Sequence, residues 1–291
     1  MGAFDSFRYD GKRVLVVGGA TGMGEAAGEL ALDAGAAEVV VLDVKEISSA
    51  RVTPHHIDLA DRASIDTTAA ALAGVFDAVF SCAGVADEDP TVGAVNYVGH
   101  RYLLDRLLER EQIRSGGAIC VISSTAGIGW QTNITALLEL LAISDFDEAW
   151  SWLREHEMDS YTGTKQALCA YVAHEAIGLL ARGIRLNAIC PGPTDTPLAR
   201  ANAETWLGFG TDYREVAKVG VSTSMEQAFP LVFLCSDAAR AIAGLTLVSD
   251  VGWLSSADTG SFPPAAPIAS MMLNRPTITG VTFDPAAFGL T

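Results

Sequence analysis

The pentapeptide "YTGTK" places a phenol, Tyr161, and an amine, Lys165, four residues apart. On a helix, positions i and i+4 lie on one face, so the two side chains would be neighbours. A positively charged Lys165 would favour the phenolate and lower the pKa of Tyr161 from about 10, which gives a proton donor usable near neutral pH. A surface pair without chemistry has the same spacing, so other residues must decide between the two interpretations.

A glycine-rich segment, "VGGATGMG", joins the apolar run Arg13 to Gly19 to a segment with helical spacing. Gly18, Gly22 and Gly24 form the pattern G-x-x-x-G-x-G. Glycine permits a tight turn and lets the backbone approach a pyrophosphate closely, and the helix N-terminus adds free N–H groups. The motif requires this strand–turn–helix context, so the segment predicts a dinucleotide site.

An acidic residue, Asp43, ends the next apolar run, "EVVVLD". A carboxylate there can accept hydrogen bonds from both hydroxyls of a ribose and would repel a 2′-phosphate. Val44 and Lys45 follow it, and neither is an arginine. The sequence therefore predicts NAD rather than NADP as the cofactor. A solvated carboxylate at the start of a loop is the alternative.

Along the rest of the chain, continuous apolar runs alternate with segments of helical periodicity. This order is typical of an α/β protein with a doubly wound, mostly parallel sheet (a Rossmann fold) covered by helices on both faces. We predict one such domain over residues 1–253. Two segments break the rhythm. Residues 125–160 form a predicted helical insert, and the proline-containing residues 254–291 form a C-terminal extension.

The overall composition excludes several classes of partner. Acidic residues number 35 and basic residues 19, a net charge of −16 that argues against binding nucleic acid or an anionic membrane. No apolar run reaches the roughly 20 residues that span a bilayer. The five cysteines lack metal-ligand spacing, so we expect no metal, and we interpret them as buried thiols of a cytoplasmic protein.

Taken together, these motifs resemble the short-chain dehydrogenase/reductase superfamily, in its compact branch, over about residues 11–253. The resemblance implies a catalytic set of Asn96 from "VNYVG", Ser124 from "VISS", Tyr161 and Lys165. In that family a hydride moves between the nicotinamide and a carbinol carbon. The tyrosine is the acid or base, the serine polarises the carbonyl, the lysine holds phenolate and ribose, and the asparagine fixes a water.

The resemblance also implies a set of cofactor-binding residues along the chain. They are Gly18, Thr21, Gly22, Met23, Gly24, Asp43, Asp58, Leu59, Cys82, Ala83, Gly84, Tyr161, Lys165, Pro191, Gly192, Thr194 and Thr196. Three positions in two segments depart from the family pattern. "SCAG" (residues 81–84) replaces the usual Asn-Asn-Ala-Gly, and Val17 stands where threonine is usual.

The insert at residues 125–160 resembles that of the bacterial 3α-hydroxysteroid dehydrogenase/carbonyl reductase type. In that type the insert alters which subunit faces pair, so a homodimer and a homotetramer both remain open. We expect selectivity to reside in the loop at about residues 196–220. Predicted substrate contacts are Ser124, Trp130, Trp206, Leu207 and Phe209. Ordinary packing is the alternative for the last four.

The sequence thus predicts an NAD-dependent oxidoreductase that interconverts a small hydrophobic alcohol and its ketone, of the steroid, terpenoid or aryl carbinol class. A dinucleotide-binding regulatory or scaffold protein without catalysis is the alternative, although it would not need all four implied catalytic residues. Enoyl reduction is disfavoured, because in this superfamily it usually has a longer gap between tyrosine and lysine than Tyr161-x-x-x-Lys165.

Overall fold

A computed structural model describes residue 2 and residues 4–274 of the chain. Within these residues the strands are β1 (Arg13–Val17), β2 (Glu38–Asp43), β3 (Thr53–His56), β4 (Phe76–Ser81), β5 (Ile113–Ile122), β6 (Arg185–Pro191), β7 (Thr194–Asp195), β8 (Ser222–Thr223) and β9 (Thr246–Ser249). The main sheet is parallel throughout and has the order β3-β2-β1-β4-β5-β6-β9, while β7 pairs with β8.

The α-helices of the described residues are α1 (Gly22–Asp33), α2 (Arg62–Ala71), α3 (Gly99–Glu109), α4 (Ile134–Ala142), α5 (Phe146–Glu155), α6 (Tyr161–Ala181), α7 (Pro197–Ala201), α8 (Ala203–Trp206), α9 (Thr211–Ala217), α10 (Ser224–Cys235), α11 (Trp253–Asp258) and α12 (Ala266–Leu273). A five-residue π-helical turn, Ala94–Val98, leads directly into α3.

The sheet is buried on both faces because its central strands are continuous apolar runs. In β1, Val14 and Val16 face a core shared with α1 and α10, whereas Leu15 and Val17 face a core shared with α2, α3 and α6. Alternate residues of a strand point to opposite faces, so an unbroken apolar run supplies both cores. The predicted doubly wound α/β fold is confirmed.

One strand of the sheet, β3, was not predicted from the sequence. Its residues are mostly exposed, and Pro54 lies within it. Strand β3 is at the edge of the sheet, where a proline is tolerated because one side of the strand forms no ladder. A short polar run with a proline gives neither the alternating nor the continuous apolar signal of a strand.

The predicted helical insert consists of α4 and α5. Leu137, Leu140 and Leu141 of α4 join the same core as α3 and α6, whereas Leu138 is exposed. Helix α5 begins after Asp145, whose carboxylate accepts the N–H groups of two first-turn residues. The insert therefore packs on the domain as part of its core.

The described part of the C-terminal extension packs on the loop that follows β7. Phe262 and Ala269 of the extension bury their side chains together with Trp253, the last residue of the predicted domain, and Tyr213 of α9. A Cβ on Gly129, at the start of the insert, would overlap the carbonyl of Met272 in α12. The extension thus touches both the loop that follows β7 and the start of the insert. The rest of it, residues 275–291, lies outside the described residues, and the division after residue 253 stays a prediction.

Candidate active site

The loops after β1 and β4 meet in close contact at the carboxyl edge of the sheet. Gly18 has φ +80°, and a Cβ there would overlap the backbone of Ala83. A Cβ on Gly24 would overlap the carbonyl of Gly18. Glycine at both positions lets the turn pack closely against its neighbours, which is the tight geometry that a dinucleotide-binding turn requires.

A second predicted cofactor segment faces this turn. A Cβ on Gly22 would lie 3.6 Å from Thr196, and Thr196 caps α7 by accepting the N–H of Ala199. Thr194 donates its hydroxyl to the carbonyl of Gly192 at 2.9 Å, which fixes the turn after β6. The glycine turn and the segment after β6 therefore face each other at Gly22, across the crevice that is predicted to hold the cofactor.

The Asp43 carboxylate is held at the end of β2 by backbone donors. Its Oδ2 accepts the N–H of Ala20 and its Oδ1 accepts the N–H of Lys45, each at 2.9 Å. A carboxylate has about four acceptor sites, so two bonds leave capacity for a ribose diol. This geometry fits the residue predicted to select NAD.

The remaining predicted cofactor residues lie in or next to the loops at the same edge of the sheet. Thr21 is the N-cap of α1, and Met23 lies in its first turn. Asp58 accepts the N–H of Ala60 at 2.8 Å, and Leu59 is buried beside it. Cys82, Ala83 and Gly84 follow β4 directly, and Pro191 ends β6. Burial raises the pKa of the Cys82 thiol, so this side chain is neutral.

Tyr161 and Lys165 lie in the first two turns of α6. The helix begins after Ser160, whose hydroxyl accepts the N–H of Gly163 at 3.1 Å. Lys165 is 3% exposed, and its Nζ donates to the carbonyl of Ile122 at 2.9 Å and lies 5.4 Å from the centroid of the Tyr161 ring. Burial lowers the pKa of Lys165 to about 8.

The expected lowering of the Tyr161 pKa is wrong for this structure. Burial is the largest effect and raises the pKa of Tyr161, whereas a hydrogen bond with Ser124 opposes the rise. The amine of Lys165 lies over the ring and is bonded to a backbone carbonyl. The two side chains are neighbours, as their spacing predicts, but at the phenol desolvation outweighs the opposing effect of Ser124.

The Asn96 side chain is fully buried in the π-helical turn before α3. Its Oδ1 accepts the N–H of Val85 at 2.8 Å and its Nδ2 donates to the carbonyl of the same residue at 2.9 Å. A Cβ on Gly84 would lie 3.4 Å from Asn96 Oδ1 and 3.8 Å from Lys165 Nζ. The amide of Asn96 and the amine of Lys165 therefore border the same small space beside Gly84.

Two adjacent serines follow β5 and have different partners. Ser123 is buried, donates to the carbonyl of Lys165 at 2.8 Å and contacts Cys169, so it holds α6 in position. Ser124 accepts the N–H of Ala126 at 3.1 Å, and its hydroxyl is close enough to the phenol of Tyr161 to act against the rise in the Tyr161 pKa. The structure thus brings together Ser124, Tyr161, Lys165 and Asn96.

Sequence reasoning missed two polar residues beside this set. Asp87 accepts the backbone N–H of Tyr161 and so caps α6. His100 Nδ1 lies 2.6 Å from the hydroxyl of Ser81, and its Nε2 lies 2.9 Å from the carbonyl of Ala83. Burial lowers the pKa of His100 to about 4. The serine at position 81, where the family has asparagine, was the one signal of a changed polar contact.

The four apolar residues predicted to wall the substrate pocket do not form one cluster. Trp206 lies on the ring of Tyr161, with centroids 4.7 Å apart, and Phe209 lies on Trp253, with centroids 4.8 Å apart. Trp130 packs against the core of the insert. Leu207 is half-buried and its carbonyl accepts a hydrogen bond from an arginine of α9. Trp206 alone of the four contacts a residue of the predicted catalytic set.

The described residues contain no helix long and apolar enough to cross a membrane. In the same part of the chain, histidine, cysteine and acidic side chains form no group that could hold a metal ion.

Comparisons with known proteins agree with the fold and the motifs. A family model described as enoyl-(acyl carrier protein) reductase matches residues 151–254. The 3-alpha-hydroxysteroid dehydrogenase/carbonyl reductase of Comamonas testosteroni is 30% identical over 258 residues, which cover 82% of this chain and 95% of that protein. The coniferyl-alcohol dehydrogenase of Pseudomonas sp. (strain HR199 / DSM 7063) is 28% identical, with coverages of 84% and 97%.

Among solved structures, the 3-alpha-hydroxysteroid dehydrogenase from Pseudomonas sp. B-0831 complexed with NADH has a TM-score of 0.69 and 27% identity. The match covers 86% of this chain and 99% of that one. The chain belongs to the short-chain dehydrogenase/reductase superfamily. It is an oxidoreductase of the class that acts on alcohols and ketones, and a nicotinamide dinucleotide is the cofactor typical of that superfamily.

Proposed function

We propose that this protein is an NAD(H)-dependent dehydrogenase that interconverts a hydrophobic secondary alcohol and its ketone. The observation that carries the proposal is the convergence of Ser124, Tyr161, Lys165 and Asn96 beside the glycine-lined crevice. A dinucleotide binder without catalysis would need the crevice but not this set of side chains.

The chemistry follows from the positions of these groups. When bound, the nicotinamide dinucleotide would accept or supply the hydride. Tyr161 would exchange a proton with the substrate oxygen, as base in oxidation and as acid in reduction. Ser124 would donate a hydrogen bond to that oxygen, where negative charge develops.

Two further side chains would support the proton transfer. Lys165, with a pKa of about 8, carries its charge below that pH and would stabilise the phenolate of Tyr161. Asn96, which borders the same space as the Lys165 amine, would fix a water that leads the proton toward solvent.

The choice of NAD over NADP rests on Asp43. Its carboxylate, fixed by the N–H groups of Ala20 and Lys45, has free acceptor sites for ribose hydroxyls and would repel a 2′-phosphate. The NADH in the structure of the Pseudomonas sp. B-0831 relative supports the same choice.

The substrate class rests on the aromatic side chains of the loop after β7 and on the relatives. Trp206 at Tyr161 and Phe209 on Trp253 favour a hydrophobic alcohol of the steroid, terpenoid or aryl carbinol class. The names of the two relatives, which refer to coniferyl alcohol and to 3α-hydroxysteroids, support this range.

The assembly and compartment are proposed from surface and thiol chemistry. Ile177 is 80% exposed on α6 and Phe229 is 54% exposed on α10, which supports a homodimer or homotetramer. The five cysteines are free and four of them are buried, which supports the reducing cytoplasm.

The proposal is tested by incubating the purified protein with NAD, and separately with NADP, and a panel of hydrophobic secondary alcohols that includes 3α-hydroxysteroids and aryl carbinols. Absorbance of the reduced cofactor reports turnover. We expect NAD-linked turnover. If calorimetry shows that NAD binds but no alcohol of the panel is turned over, the non-catalytic alternative is favoured.

The acid/base role is tested with Tyr161→Phe, which should abolish turnover while NADH still binds. Tyr171→Phe is the matched control, because it removes a buried hydroxyl from the same helix away from the crevice. Substantial turnover by Tyr161→Phe would contradict the assignment.

A further inference from the structure

A cleft between the loop after β7 and helix α11 lies beside the predicted catalytic set. One end is formed by Thr125, which directly follows Ser124, and by Pro193 in the loop predicted to hold the nicotinamide. The other end is formed by the aromatic side chains of Phe209, Tyr213 and Trp253. The cleft therefore runs from the reacting centre to the C-terminal extension.

The indole N–H of Trp253 has no partner in this cleft. Trp253 is 4% exposed, and its Nε1 forms no hydrogen bond with any described residue. A buried N–H without an acceptor is unfavourable, so native structures satisfy nearly all of them. The indole N–H can only donate, so what is missing is an acceptor.

A second donor, Arg214 of α9, lines the same cleft. Its guanidinium donates to the carbonyls of Leu207 and Phe209 and to the hydroxyl of Thr211. These bonds use three of its five N–H groups and hold it in place. Among the described residues it forms no ion pair, although the chain has 35 acidic side chains.

Gly210 leaves the space between the two donors open. Its φ of +66° favours glycine, and a Cβ there would lie 3.2 Å from Trp253 Nε1 and 3.9 Å from Arg214 Nη1. Both donors thus border the same part of the cleft.

The acidic side chain of the cleft, Asp250, accepts no hydrogen bond from the indole of Trp253 or the guanidinium of Arg214. Asp250 accepts the N–H groups of Gly252 and Leu254, one on each oxygen, at 2.9 and 2.8 Å. The hydroxyl of Tyr213 likewise donates to the carbonyl of Val251. The cleft therefore offers unused hydrogen-bond donors beside an apolar wall.

We propose that this cleft is a distal substrate subsite that binds a hydrogen-bond-accepting oxygen through Trp253 and Arg214. The oxygen belongs to the end of the substrate remote from the carbinol, and a ring between the two ends packs on Phe209 and Tyr213. A carboxylate oxygen and a neutral acetyl or hydroxyl oxygen can each accept these hydrogen bonds. The inference rests on the proposed function, because the probe must react at Tyr161.

The test compares 1-arylethanols that differ only at the para position, with a methyl, an acetyl or a carboxylate group. The readout is kcat/KM with NAD for each. We expect the two oxygen-bearing probes to exceed the methyl probe by about tenfold. Trp253→Phe, which keeps an aromatic ring and removes the N–H, should reduce this ratio several-fold, because only Arg214 then remains as a donor.

Trp150→Phe is the matched control, because Trp150 also has a buried indole N–H without a partner but lies in the insert. It should leave the ratio unchanged. Arg214→Met is a second variant in case Trp253→Phe does not fold. If Arg214→Met lowers kcat/KM more for the carboxylate probe than for the acetyl probe, the subsite binds a carboxylate. Equal reductions of kcat/KM would indicate that it binds a neutral oxygen.

Calorimetric binding of the corresponding ketones in the presence of NADH separates the two proposals. Tighter binding of the oxygen-bearing ketones without turnover of any alcohol would contradict the proposed function but support the subsite. Turnover of all three alcohols at similar kcat/KM, or a ratio unaffected by both variants, would overturn the subsite alone.

Discussion

The indole of Trp206 lies on the phenol ring of Tyr161, with ring centroids 4.7 Å apart and planes inclined by 46°. It comes from the short helix α8, in the loop that follows β7. The predicted proton donor is therefore covered by a residue of the predicted substrate loop. A substrate at Tyr161 must share this space with the indole.

We expect Trp206→Ala to raise KM for a hydrophobic alcohol by about tenfold, because a large apolar contact is lost. It should also shift the pH profile of oxidation to lower pH, since burial raises the pKa of Tyr161 and exposure reverses that effect. Steady-state kinetics across pH measure both. Trp152→Ala, in the insert, is the control, and an unchanged KM would exclude Trp206 from the pocket.

Asp43→Ala should weaken NAD binding and reduce the preference for NAD over NADP by about tenfold, because the charge that repels a 2′-phosphate is removed. Asp43→Asn separates charge from position, since an amide can still accept from Ala20 or Lys45. The ratio of kcat/KM for the two cofactors is the measurement. An unchanged ratio in both variants would rule out Asp43 as the selecting residue.

Lys165→Met should abolish turnover but stabilise the fold. The pKa of Lys165 falls from 10.5 to about 8, which corresponds to about 3 kcal/mol of unfavourable burial at neutral pH. Loss of the hydrogen bond to Ile122 offsets about 1 kcal/mol of the gain. Urea unfolding at pH 7 should therefore show a net stabilisation of about 2 kcal/mol.

The pH dependence gives a second measurement on Lys165. Between pH 8 and 10.5 the unfolded chain binds this proton and the folded chain does not, so wild-type stability gains from Lys165 as pH rises. The methionine variant should lack this gain. Lys218→Met, at an exposed position, is the control, and a variant less stable than wild type at pH 7 would refute the prediction.

His100 should make the fold sensitive to acid. Burial lowers its pKa from 6.5 to about 4, so the unfolded chain takes up a proton first as pH falls. His100 should therefore account for a loss of about 3 kcal/mol of stability between pH 6.5 and 4. Urea unfolding of His100→Asn across this range should show a correspondingly shallower decline.

Other groups also titrate between pH 6.5 and 4, so the comparison uses the difference between wild type and variant. His174→Asn, on the exposed surface of α6, is the matched control. Equal slopes for wild type and His100→Asn would show that the pKa of His100 does not differ between the folded and the unfolded chain.

Local patterns were sufficient for most of the fold. The strands β1, β2 and β4 and the helices α1 and α6 follow from apolar runs, helical spacing and the glycines that end them, because these signals act within a few residues. The edge strand β3 could not be predicted in this way, because it is a strand through its pairing with β2 and not through its own composition.

The sequence by itself determined the alternation of the central strands with helices, the glycine turn, Asp43 at the end of β2, and the Tyr161-x-x-x-Lys165 spacing, because each depends on backbone geometry over a few residues. Tertiary structure decided the direction of the Tyr161 pKa, the bond between Ser81 and His100, the position of Trp206 and the shared space of Trp253 and Arg214. These depend on burial and on residues far apart in the chain, and desolvation by such neighbours has no local signal.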